Sequence, residues 1–117
     1  MLSSEELLRR LAIGDRALIA SIGRPDGPSP GSTRLDELTG ALIRLAVLVP
    51  LDAPQSSYQS AVQAATRAGA SLDDLLATLL ATVEAVGVPR VVSAAPRIAL
   101  AAGYDVEDAL ERSPSTA

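Results

Sequence analysis

The sequence predicts an all-α protein, and three observations predict it. Apolar residues recur three and four apart through most of the chain, most clearly in Leu72, Leu75, Leu76, Leu79, Leu80, Val83 and Val86. Ser, Asp or Pro stands where such runs begin (Ser3, Asp15, Ser71, Pro89), and Gly stands where they end (Gly69, Gly87, Gly103). No stretch alternates apolar and polar residues as a half-buried strand would.

Each element follows from its own residues. Ser3 with Glu6 reads as a capping box ahead of Leu7, Leu8, Leu11 and Ala12, so a first helix begins at about Ser4. Gly14 interrupts it, and Asp15 caps a second, short helix carrying Leu18, Ile19 and Ile22. Residues 23–32 hold three Gly and three Pro and read as a loop that joins these N-terminal helices to the main body. Over residues 35–49 the apolar positions cover most of a helical wheel, leaving a narrow stripe through Glu37, Gly40 and Arg44. A helix apolar nearly all round is buried on more than one side, which predicts contact with another subunit.

Pro50 ends that helix, and Asp52 offers a cap for the next, whose inner face is Tyr58, Ala61, Val62 and Ala65. Ser71 with Asp74 opens a Leu-rich helix expected to run unbroken to Gly87. Pro89 starts another, Pro96 is expected to kink or restart it, and Gly103 stops it. Asp105 with Asp108 reads as the cap of a last turn or two. This gives one domain of about five to seven helices: residues 1–34 form the N-terminal helices and loop, 35–112 the core, and 113–117 a mobile tail.

Composition narrows the chemistry. Among 117 residues there is no Cys, His, Lys, Phe or Trp, which removes the thiolate nucleophile, the imidazole base, the Schiff-base amine and the soft metal ligands. The acidic pairs Asp36-Glu37 and Asp73-Asp74 belong to helix starts, so neither a metal site nor a cofactor is expected. The net charge is −4, and residues 70–117 carry three Arg against seven acids, which disfavours nucleic acid. The longest apolar run, 45–51, is far short of a membrane span, and no signal-peptide pattern opens the chain; a cytoplasmic location is expected.

The middle of the chain resembles a known family. An apolar helix is followed by Ala65-Thr66-Arg67-Ala68-Gly69-Ala70-Ser71, then Asp73-Asp74 opening a Leu-rich helix, then Gly87-Val88-Pro89. This order is similar to the carboxymuconolactone decarboxylase and alkyl hydroperoxidase D-like family, over about residues 35–104. It also looks like a branch of that family at Thr39, Ala41, Leu42, Arg44 and Leu45, and again through Arg-Val-Val-Ser-Ala-Ala-Pro at 90–96. The resemblance implies an alkyl hydroperoxidase D-like helical bundle assembled as a homotrimer or hexamer. It does not carry over the chemistry. The family's two thiols and its histidine would stand at Pro54, Ser57 and Ala61, and its Arg-Glu pair at Gly40 and Ala41.

Four residues remain as candidates. Ser57 occupies a thiol position but has no His or Lys to take its proton, so it reads as a ligand contact rather than a nucleophile. Tyr58 either packs or orients a ligand. Arg44, alone on the polar stripe of an apolar helix, either meets an acid such as Glu84 or Glu37 or awaits a carboxylate ligand. Glu84, at the edge of an apolar stripe, is the candidate acid or base, since burial there would suit it to proton transfer. The leading expectation is a homo-oligomer without thiol redox activity that is structural or binds a small carboxylated metabolite. The alternative is a cofactor-free decarboxylase or lactone-acting enzyme using Glu84 and Arg44.

Overall fold

The computed structural model describes residues 2–29 and 34–104, and the regular elements among them are all helical: α1 (Ser4–Ala12), α2 (Arg16–Ser21), α3 (Glu37–Leu48), α4 (Gln55–Arg67), α5 (Leu72–Ala81), α6 (Val83–Val86) and α7 (Val88–Ala101). The turn expected at Asp105 and the tail 113–117 lie outside the described residues. Two compact units divide the chain, Met1–Asp36 and Glu37–Ala117.

In the first unit, Ser3 Oγ accepts the Glu6 N–H at 3.1 Å, as a cap should. The expected return bond of a capping box is replaced: the Glu6 carboxylate accepts instead from Arg9 at 2.7 Å and Arg10 at 3.3 Å. Chiefly through Arg9, this holds the Glu6 carboxyl below its ordinary range. Asp15 Oδ1 accepts from the N–H groups of Ala17 and Leu18 and starts α2. Leu18 is the unit's only buried side chain among the described residues, so the amphipathic α1 presents Leu8 and Leu11 to solvent.

The second unit has the core. Ala41 and Leu45 of α3, Tyr58, Val62 and Ala65 of α4, Leu75 and Leu79 of α5, and Val91, Ala94 and Ile98 of α7 form one buried cluster, joined by Val49 and Ala53 from the α3–α4 turn. α3 packs on α4 and α5, and α7 on α4, α5 and α6. Small residues at these contacts let backbones approach, with Tyr58 supplying the one large ring.

The caps explain where these helices start and stop. The Ser71–Asp74 capping box is complete, with Ser71 N–H to Asp74 Oδ2 at 2.8 Å and Asp74 N–H to Ser71 Oγ at 3.2 Å. At the end of α4, Gly69 takes φ 103° while the N–H groups of Gly69 and Ala70 reach back to Thr66 and Ala65 carbonyls. The left-handed step that closes this motif is open to glycine at little cost.

Three expectations are corrected. The Leu-rich helix does not run unbroken to Gly87; it breaks at Thr82. There the Thr82 N–H and hydroxyl both donate to the Leu79 carbonyl, at 3.2 and 2.7 Å, tightening the turn from four residues to three before α6 resumes. Asp52 does not cap α4: it turns the chain at φ 48°, and Pro54 takes the N-cap position with no side-chain bond. Pro96 does not restart α7, which continues through it to Ala101. Its missing N–H falls opposite the carbonyl of Val92, a residue that is itself exposed. On α3, Ala41 and Leu45 are buried in the core, while Ile43 and Val47 stay 46% and 49% exposed.

Candidate functional site

Two helices of the core, α3 and α4, leave an open groove of about 730 Å³ between them. α3 contributes Ile43, Arg44, Val47 and Leu48, two pairs one turn apart. α4 contributes Ser56 and Ser57, then Ser60 and Ala61, then Ala64, at the same spacing. The groove is therefore an apolar floor rimmed by one guanidinium and three hydroxyls.

Arg44 is exposed, and no hydrogen bond or ion pair holds it to the described residues. The sequence stripe suggested a charge inside a buried helix, which would demand a partner. The structure corrects this, since Arg44 is exposed and lines the groove, and a solvated guanidinium needs no partner. Ser57 is half-buried beside it, and its own N–H is spent on Pro54. No group near Ser57 in the groove lining can act as its base.

Glu84 is not brought to this groove. It lies exposed on α6, outside the groove lining and without an ion pair among the described residues, because the break at Thr82 ends the stripe from which its burial was expected. A decarboxylase mechanism that pairs Glu84 with Arg44 in one pocket has no support in this arrangement. Among the described residues, no group of three or more acids could hold a metal ion, and no helix is long and apolar enough to cross a membrane.

Tyr58 belongs to a different place. Adjacent to Ser57 in sequence, it is turned about 100° around α4, so it leaves the groove and is 1% exposed in the core. Its ring borders a second, smaller pocket of about 250 Å³ shared with Asp52, Arg90, Ser93 and Arg97. The signal for this pocket in the sequence is the spacing of Arg90, Ser93 and Arg97 along one helical face, which Pro96 disguises.

Burial pushes the Tyr58 hydroxyl above its ordinary value of 10.0, with Arg97 pulling it down and Asp52 adding to the rise. In the unfolded chain the phenol ionises near pH 10, whereas the folded state keeps its proton longer. The contribution to stability is therefore complete below about pH 10 and lost as pH rises beyond it. Urea midpoints measured from about pH 8 to 11 are expected to fall in the wild type and to fall less in Tyr58→Phe. Equal alkaline loss in both proteins would show that another group is responsible.

No protein-family model, curated protein or solved structure matches the chain.

Proposed function

We propose that the chain is a carboxymuconolactone decarboxylase-like protein that lacks thiol redox activity, assembles as a homotrimer or hexamer, and binds a small carboxylated metabolite between α3 and α4. The observation that carries this reading is the groove itself: an apolar floor with Arg44, a guanidinium without a partner among the described residues, at its edge. The resemblance supports the same place, because the positions where its second thiol and its histidine would stand, Ser57 and Ala61, both line that groove. The pocket is retained and its nucleophile is gone. Guanidinium suits a carboxylate because it donates two parallel bonds to the two oxygens, while Ser57 and Ser60 add neutral donors. The assembly is supported by Ile43 and Val47, large apolar side chains left half-exposed on a largely apolar helix.

Calorimetric titration with hexanoate and benzoate tests the binding site. Each is expected to bind, and Arg44→Gln is expected to weaken binding about tenfold or more, the loss of a charge-assisted bond. Hexanamide, which lacks the charge, should bind wild type and variant alike. If hexanoate and benzoate fail to bind, or bind Arg44→Gln as tightly as wild type, the proposed ligand class is wrong.

A further inference from the structure

The smaller pocket at Tyr58 is built for something other than packing. Arg90 and Arg97 lie on one face of α7, and both reach across to the α3–α4 turn. Arg90 Nη1 donates to the Pro50 carbonyl at 3.0 Å, and Arg97 Nη1 donates to the Ala53 carbonyl at 2.6 Å. Those bonds fix the two planar forks in place while using one of the five N–H donors on each. The base of Arg97 is held as well, since Gln55 Nε2 donates to its carbonyl at 2.8 Å.

Both arginines line a pocket that also contains Tyr58 and Ser93. Tyr58 is 1% exposed as a residue, and its hydroxyl makes no hydrogen bond to the described residues. No fully buried side-chain polar atom among them lacks a partner, so the hydroxyl oxygen is open to the pocket and its proton is free to donate to an acceptor there. Asp52 is the only acid in the lining. Its side chain is 73% exposed and makes a solvent-screened ion pair with Arg97 Nη2 at 3.8 Å, so one acid stands against two guanidinium groups and Arg90 has no ion pair among the described residues.

We infer that this pocket is an oxyanion site, in which Arg90, Arg97 and the Tyr58 hydroxyl bind a small phosphate or carboxylate group. Its volume of about 250 Å³ is below the range of pockets that enclose drug-sized molecules, which limits the occupant to a small anion or the anionic end of a larger one. The site spans α4, α7 and the turn after α3, so an anion there ties three parts of the core together. It is separate from the α3–α4 groove and independent of what that groove binds.

Tyrosine fluorescence reads the site directly, because the chain has no Trp and only two tyrosines. In a Tyr104→Phe background, Tyr58 is the sole fluorophore. Titration with inorganic phosphate, and separately with acetate, at constant ionic strength is expected to give a saturable change with at least one of them. Arg90→Gln should shift half-saturation about tenfold upward. Arg44→Gln should leave it unaltered. Arg90 is exposed, and far-UV circular dichroism reports whether its variant folds; Tyr58→Phe, followed by calorimetry, supplies a second reading with the same expected weakening. The inference is overturned by the absence of a saturable response to either anion, by an unchanged response in folded Arg90→Gln, or by a response that Arg44→Gln abolishes.

Discussion

Tyr58→Ala is expected to lower the free energy of unfolding by about 3–5 kcal/mol, the cost of deleting a large buried aromatic ring. The reasoning starts from composition. With no Phe or Trp in the chain, the Tyr58 ring is the only aromatic body in the buried cluster, and its surroundings are assembled from Ala, Val, Leu and Ile. Side chains as short as Ala53, Ala65 and Ala94 cannot swing inward to fill the vacancy, so the cavity persists and its walls lose their contacts. Domains of this size are stable by about 5–15 kcal/mol in total, so one ring carries a large share of the margin. Tyr58→Phe is the control. It keeps the ring and removes a hydroxyl without a protein partner, so its cost is expected to be about 1 kcal/mol or less at neutral pH. Urea denaturation of both variants, with slopes compared to confirm two-state behaviour, makes the measurement. A loss below about 1 kcal/mol for Tyr58→Ala would mean that the helices close over the gap.

The all-helical class was legible because its signals are local. Ser71 and Asp74 are three residues apart and satisfy one another's backbone groups whatever the rest of the chain does. Gly69 and Gly103 mark stops because each must take a left-handed step. The break at Thr82 was not legible, since Leu79, Leu80, Val83 and Val86 carry the apolar period straight through it. What marks it is that the Thr82 N–H and hydroxyl both donate to the Leu79 carbonyl, and periodicity is blind to that. Pro96 misled in the opposite direction, because whether a helix survives an internal proline depends on what surrounds the freed carbonyl. The same limit applies to the sites. Arg44 and Ser57 could be placed on helix faces from spacing alone, and the structure brings them to one groove. The meeting of Tyr58 with Arg90 and Arg97 depends on how α4 packs against α7, a long-range contact that no local pattern encodes.

Two substitutions on α3 separate its two apolar faces. Leu45 is 1% exposed and sits in the core cluster, where α3 meets both α4 and α5. Ile43, two residues earlier, points the other way and is 46% exposed. Truncation to alanine removes a similar volume from each, so any difference in outcome reflects environment. Leu45→Ala is expected to cost about 2–5 kcal/mol of stability at every protein concentration, since the cavity lies inside one chain. Ile43→Ala is expected to cost about 1 kcal/mol or less in the dissociated chain, where the side chain is already half in water. Its larger effect falls on assembly. In a hexamer built from two-fold dimers the contact contains the residue twice, so losing about 1 kcal/mol of burial from each copy weakens association by about 2 kcal/mol, roughly thirtyfold in Kd. In a homotrimer each contact loses about 1 kcal/mol, about fivefold. Sedimentation velocity over a dilution series reads the second effect, and urea midpoints at several concentrations read the first. If the wild type sediments as a monomer, or if Ile43→Ala dissociates no more readily than wild type, the exposed face of α3 is not where copies meet. The excess of apolar residues on that helix would then belong to the groove alone.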